Sequence, residues 1–220
     1  MNIAQLIDHT LLKPDARLED IKKLCAEALE YDFYSVCINP YWITTAKSLL
    51  KGSKVKICTV CNFPLGASLP QTNAIAVAKA IASGAHEIDM VINIGAALDG
   101  HWNFIEHEIH EVVSIANGRT VKVILETCLL NDEQIRETCK AAVRAGASFL
   151  KTSTGFSTAG ATLSAVKLMR ATLPAHVGVK ASGGIRTAAD AHAMLDAGAN
   201  RLGSSASVNI DKESRLNSQT

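Results

Sequence analysis

Residues 142–153 read AVRAGASFLKTS. The first half has a helical pattern and closes on Gly146 and Ala147, and the second half is a β-prone run. Glycine at the end of a helical pattern suits the left-handed residue that terminates a helix. The same arrangement returns as AIASGAHEIDMVI at residues 80–92 and as MLDAGANRLGSS at residues 194–205. The glycines Gly84, Gly146 and Gly198 lie 62 and 52 residues apart. Each interval is long enough for two strand–helix units, which predicts strands alternating with helices around a parallel sheet.

Working outward, β-prone runs fall at residues 6–10, 35–39, 55–60, 87–92, 121–126, 149–153, 177–181 and 201–203, with the first the weakest. Helical patterns fit between them. Residues 18–30 place Ile21, Leu24, Cys25, Ala28 and Leu29 on one face. Ser68, Pro70 and Gln71 read as a capped start before NAIAVAKAIA, and Thr187 with Asp190 reads as a capping box. Eight strands in this order predict an α/β protein, a (β/α)8 TIM barrel forming one domain over residues 1–210, with 211–220 as a polar tail. A doubly wound open sheet is the alternative, but no G-x-G-x-x-G follows the early strands.

Composition narrows the function classes. Hydrophobic residues make up 48% and charged residues 20% of the 220 positions, enough for a sizeable core. A net charge of +1 gives no electrostatic basis for binding nucleic acid or an anionic membrane. The opening MNIAQLIDHTLLKPD lacks a secretory pattern, and no stretch reaches transmembrane length, so a soluble cytoplasmic protein is expected. Cys58 and Cys61 form one C-x-x-C without a second pair or spaced histidines. They end a strand-like run, KVKICTVC, so reduced core thiols are expected rather than a zinc or redox site.

The strands carry charge on one face. Side chains two apart in a strand share a face. In EIDMVI, Ile88, Met90 and Ile92 oppose Glu87 and Asp89, and in VKVILE, Val121, Val123 and Leu125 oppose Lys122, Ile124 and Glu126. In VGVKAS, Val177 and Val179 oppose Lys180. The apolar faces suit packing on helices, which sends Glu87, Asp89, Lys122, Glu126, Lys151 and Lys180 into the barrel. Glu87 and Lys122 come early in their strands and are expected to pair. Asp89, Lys151 and Lys180 come later, toward the C-terminal face where barrel chemistry resides. Lysine is seldom fully buried unless paired or used. A second lysine on the next strand at similar depth lowers the pKa of the first and favours a neutral nucleophilic amine. The competing reading of Lys151 is a lysine paired with a carboxylate in the core.

A phosphate signal follows. Ser182, Gly183, Gly184, Ile185 and Arg186 end the seventh strand, and Gly203, Ser204 and Ser205 end the eighth. Barrels frequently bind phosphate with these two loops, where glycine lets backbone N–H groups approach and helix N-termini favour anions.

FLKTSTGF, VKASGGIR, EIDMVIN, DHTLLKPDA and RLGSS together resemble the 2-deoxyribose-5-phosphate aldolase family, in order from about Ile7 to Ser205. The resemblance implies a Schiff-base aldolase on a (β/α)8 barrel that reversibly cleaves 2-deoxy-D-ribose 5-phosphate to acetaldehyde and D-glyceraldehyde 3-phosphate. It implies Lys151 as the Schiff-base lysine, Lys180 as the lysine that tunes it, and Asp89 as the acid/base partner. Asp8 and Thr152 are implied at the substrate, and Gly155, Gly183, Gly184, Arg186, Gly203 and Ser205 around its phosphate. No metal or cofactor is implied, because the lysine supplies the covalent chemistry. A homodimer is implied. Phe156 stands where some members carry lysine, and Ala206 where many carry serine. A transaldolase-like lyase and a catalytically silent phosphosugar-binding barrel are the other readings.

Overall fold

A computed structural model describes residues 2–217. Eight strands form a closed parallel barrel in chain order. They are β1 (Ile7–Leu11), β2 (Ser35–Ile38), β3 (Lys56–Cys61), β4 (Glu87–Val91), β5 (Thr120–Ile124), β6 (Phe149–Lys151), β7 (Gly178–Ser182) and β8 (Arg201–Ser204). The helices that surround them are α1 (Leu18–Glu30), α2 (Ile43–Leu49), α3 (Pro70–Ser83), α4 (Ile94–Leu98), α5 (Trp102–Ala116), α6 (Asp132–Arg144), α7 (Leu163–Thr172), α8 (Ala188–Asp196) and α9 (Ser207–Asn217). β8 pairs with β1 through Ile7 and Leu202, which closes the cylinder and removes the open-sheet alternative.

The recurring Gly-Ala motif has one physical cause. Gly84, Gly146 and Gly198 all take positive φ, at +121°, +87° and +110°. The next residue then turns its N–H back onto the helix: Ala85 to the Ala80 carbonyl, Ala147 to Ala142 and Ala199 to Met194, each at 3.0 Å. These closures satisfy carbonyls that a helix end would leave bare and aim the chain into β4, β6 and β8. At the other end of α8, the Thr187 hydroxyl accepts from the Asp190 N–H and the Asp190 carboxylate accepts from the Thr187 N–H, as the sequence predicts.

The strand faces divide as their alternation requires. Ile88, Met90, Val121, Val123, Val177 and Val179 join the main apolar core with the helices. The inward faces carry charge, and beside it Leu12, Cys37, Cys58 and Val60 form a small separate apolar cluster with Phe63 packed on it.

Two expectations are corrected. Ser68 does not cap α3: its N–H donates to Asn62 Oδ1 at 2.8 Å, and Pro70 opens the helix at its first turn. Proline suits that place because its missing N–H would be unpaired there. Residues 211–217, expected as part of a polar tail, belong to α9. The buried stripe of α9 is Ser207, Ile210, Asp211 and Ser214, at helical spacing but mostly polar, so hydrophobic periodicity does not reveal it. Residues 218–220 of the expected tail lie outside the described residues.

Candidate active site

The floor of the site is a network of charges inside the barrel. Strand register sets their depth. Asp89 lies opposite Lys122, Lys151 opposite Lys180, and Lys180 opposite Arg201. Asp8, Asp89, Lys122 and Lys180 are each 0% exposed, and Lys151 is 2% exposed. Ions so deprived of water persist only when paired.

Asp89 is the hub. Its Oδ2 accepts from Lys151 Nζ at 2.9 Å and from Lys180 Nζ at 2.8 Å, and its Oδ1 accepts from Lys122 Nζ at 2.8 Å. Asp8 is the second hub: Lys180 Nζ lies 2.5 Å from its Oδ2, and Arg201 and Ser35 donate to its Oδ1 at 2.9 and 2.7 Å. Lys122 also pairs with Glu87 at 2.6 Å, the partnership expected for those two. The Arg201 guanidinium lies 3.4 Å over the Tyr34 ring.

The electrostatics follow from this geometry. Burial pushes the Asp89 carboxyl upward, but Lys122, Lys151 and Lys180 together hold it well below the usual carboxylate range. Asp8 is lowered likewise, because Lys180, Lys122 and Arg201 outweigh burial. Burial works against the Lys180 ammonium, yet Asp8 and Asp89 raise it above an ordinary lysine. Lys122 is raised well above the ordinary value in the same way. Lys180 and Lys122 are therefore fixed cations. Asp8, Glu87 and Asp89 balance Lys122, Lys180 and Arg201 charge for charge, and a protonated Lys151 is the one surplus charge of this connected set.

Above this floor opens a cavity of about 370 Å³, in the range that takes a small ligand. Lys151 lines it, with Thr10, Leu11, Leu12, Lys13 and Thr154, Gly155 and Phe156 on one part of the wall. Ser182, Gly183, Gly184, Ile185 and Arg186 and then Gly203, Ser204 and Ser205 complete it. The structure thus brings Lys151, Gly155, Gly183, Gly184, Arg186, Gly203 and Ser205 to one cavity, as expected from the sequence. Asp8, Asp89, Lys180 and Thr152 are not among the lining residues. The first three are connected to Lys151 through the ion network: Asp89 accepts from both Lys151 and Lys180, and Lys180 pairs with Asp8. The Thr152 hydroxyl is buried between strands, donating to the Ser182 carbonyl at 3.2 Å and accepting from the Ser182 N–H at 3.1 Å.

Backbone turns shape the end of the cavity lined by the loop after β7. Gly183 and Gly184 have φ of +87° and +82°, and a Cβ on Gly160 would fall 2.2 Å from the Gly183 carbonyl oxygen. The chain is folded there as only glycine permits. α9 starts at Ser207, shortly after β8 ends at Ser204, so a helix N-terminus follows the last strand.

Several site residues were missed by sequence reasoning. Glu126 was read as an interior charge of β5. It lies past the end of the strand at φ +55° and accepts from the Thr154 hydroxyl and from the Thr154 N–H at 3.2 Å, fixing the turn after Lys151. Cys58 was read as a plain core thiol. Its Sγ sits 3.1 Å from Asp89 Oδ1 and 3.2 Å from Lys122 Nζ. Lys13 and Arg201 carried no assignment. Two donor sets, Cys37, Cys58 and Asp89 and then Asp8, Cys58 and Glu87, are close enough together to hold a metal ion. Their carboxylates already accept from lysine and arginine, so a metal ion would compete with resident cations.

Known proteins similar to this chain are numerous. The profile of the DeoC/LacD family aldolases matches residues 2–210. A deoxyribose-phosphate aldolase of Bacillus mycoides is 56% identical over 211 residues, covering 96% of this chain and 95% of its own. One from Streptococcus mutans is 53% identical over 218 residues, covering 99% of each. Among solved structures, a tetrameric deoxyribose phosphate aldolase from Aeropyrum pernix superposes with a TM-score of 0.91 at 33% identity, covering 97% of this chain and 91% of that one. The chain belongs to the DeoC/LacD aldolase family.

Proposed function

We propose that this protein is a Schiff-base aldolase that reversibly cleaves 2-deoxy-D-ribose 5-phosphate to acetaldehyde and D-glyceraldehyde 3-phosphate. One observation carries the reading: of the three interior lysines, Lys151 alone lines the cavity, while Asp89 accepts from both Lys151 and Lys180. Loss of a proton from Lys151 brings the connected interior charges to neutrality. The neutral amine attacks C1 of the open-chain sugar, and loss of water leaves an iminium. A base takes the C3 hydroxyl proton, the C2–C3 bond breaks, and its electron pair moves into the iminium to give an enamine. Glyceraldehyde 3-phosphate departs. The enamine is protonated at C2 and hydrolysed to acetaldehyde, which frees Lys151. Asp89 and Lys180 do not line the cavity, so we assign their part in proton transfer through an intervening water. The catalytic set is Lys151, Lys180 and Asp89, and no cofactor is required.

The phosphate lies against Gly183, Gly184, Arg186, Gly203 and Ser205 in this reading. Among the described residues no carboxylate lines the cavity, which suits a dianion. Arg186→Ala is expected to weaken phosphorylated substrate relative to plain deoxyribose by about 1.5–3 kcal/mol, the worth of a charge-assisted contact. Equal loss on both substrates would move Arg186 out of the phosphate site. The protein is further proposed to act in the cytoplasm as a homodimer; among the described residues no helix is long and apolar enough to cross a membrane.

Sodium borohydride with acetaldehyde tests the central chemistry. A permanent adduct on Lys151 is expected by mass spectrometry, and none on Lys151→Leu. Turnover without any trapped adduct would remove the Schiff-base scheme, and an adduct on Lys180 would exchange the two lysines.

A further inference from the structure

The cavity has cations on two sides and, among the described residues, no carboxylate in its lining. Arg186 stands on the loop after β7, and Lys13 lines the same cavity from the loop after β1. Lys13 is exposed and makes no ion pair with a described carboxylate. Its backbone is nonetheless fixed. Leu12 beside it is buried in the inner apolar cluster, and the Leu12 carbonyl accepts from the Asn39 side chain at 3.0 Å. Pro14 follows and biases Lys13 toward extended backbone, while the Lys13 carbonyl accepts from the Ala16 N–H at 3.3 Å. A flexible cationic arm thus springs from a rigid base at the cavity edge. Lys13 also borders a neighbouring groove lined by His9, Asp15, Asp20, Lys23 and Glu27. Two of that groove's acids are engaged elsewhere: Asp20 accepts from the Arg17 N–H at 2.8 Å, and Glu27 holds His9 at 2.8 Å and Lys23 at 3.8 Å.

We propose that Lys13 is a specificity-determining residue, the second cation that holds the substrate phosphate, reaching it from the loop after β1, two strands round the barrel from Arg186. The proposal rests on the phosphate reading above. A dianion held by one rim arginine and glycine turns would keep charge facing water on its open side. Lysine suits that side because its ammonium is a point charge on a flexible stem and needs no fixed bidentate geometry. Lys13 would follow the phosphate group itself, so its effect would appear as discrimination between phosphorylated and plain deoxyribose.

The test compares Lys13→Ala, Lys13→Arg and Arg186→Ala in the full-length protein, with both sugars as substrates and inorganic phosphate as inhibitor. For Lys13→Ala, the KM ratio of phosphorylated to plain sugar is expected to rise about tenfold. Inhibition by inorganic phosphate should weaken in parallel, and Lys13→Arg should restore most of both. An unchanged KM ratio, or an equal loss on both sugars, would overturn the assignment. If Arg186→Ala shifts the ratio while Lys13→Ala does not, the phosphate site stands and only Lys13 falls. If neither shifts it, the phosphate reading itself is wrong. Misfolding would depress kcat for both sugars equally and would show as a lower melting temperature, a result that also counts against a specificity role.

Discussion

Asp89 and Glu108 are both buried carboxylates, 0% and 1% exposed, yet their surroundings drive them in opposite directions. Asp89 points into the barrel and accepts from three lysines. Glu108 points from α5 toward the loops after β3 and β4 and meets only neutral donors: the Asn93 N–H at 3.1 Å and the side-chain amides of Asn73 and Asn62 at 3.3 and 3.4 Å. Burial is the largest influence on each. For Asp89 the lysines overcome it and the carboxyl falls well below its ordinary value. For Glu108 the amides do not, and the carboxyl is pushed up to about 7. Burial alone therefore does not say what a carboxylate will do. A cation within hydrogen-bond reach makes it a permanent anion, and amides leave it a group that titrates near neutrality.

The largest expected effect comes from breaking the first arrangement. Asp89→Leu leaves three interior ammonium groups without their shared acceptor. Removing one partner of a buried pair costs about 3–5 kcal/mol, a large share of a stability of about 5–15 kcal/mol. A collapse of the urea midpoint is expected. A midpoint within experimental error of the parent would mean that the lysines are not charged as described.

Next in size is the opposed response to acid. The folded pKa values of Asp8 and Asp89 lie below the unfolded ones, so their contribution to stability is complete above the ordinary carboxylate pKa near about 3.9. It is lost as pH falls below that toward the folded values. Glu108 has the opposite sign. Its folded pKa is raised, so the native state binds the extra proton, and stability falls as pH rises from about 4.5 to about 7. Between pH 5 and 8 thermal unfolding should therefore carry the Glu108 loss, set against the opposite contribution of His9 and His86, whose burial-depressed pKa adds stability as pH rises, and leave Asp89 silent.

The smallest effect sharpens the same contrast. Glu108→Gln keeps a carbonyl acceptor and removes the titration, so the melting temperature of the variant relative to the parent should climb from pH 5 to pH 8. An identical slope for both would place the titrating group elsewhere. The neighbouring charge that faces Glu108 is Glu111 on the same helix, which raises Glu108 further.

The sequence made much of this legible where local alternation carries the information. Asp89, Lys122, Lys151 and Lys180 interrupt β-prone runs in phase with their inward faces, and position along the strands correctly sets Lys122 deeper than Lys151 and Lys180, whereas Asp89, expected higher than Lys122, lies opposite it in register. Arg201 could not be read so, because its meaning depends on closure: it reaches Asp8, 193 residues away, only once β8 meets β1. Glu108 left a signal that was not used. It lies on the stripe of Ile105, Ile109 and Val112, where a charged residue interrupts the buried face of α5. Glu126 was misplaced because the strand pattern continues through it, although the chain turns into a left-handed conformation there. The last helix was missed because serine and aspartate make up most of its buried face.

The claim that fixed interior charge prepares Lys151 is tested most directly by the rate of acetaldehyde adduct formation against pH. Parent, Lys180→Leu and Lys151→Leu should be compared with borohydride trapping. Lys180 lies opposite Lys151 in register and shares Asp89 Oδ2 with it, so its ammonium opposes a second positive charge at that place. With leucine at 180, the profile for Lys151 is expected to move to higher pH, with a low rate at neutrality that recovers partly in alkali. Lys151→Leu should form no adduct at any pH. A profile for Lys180→Leu that overlays the parent would contradict the account.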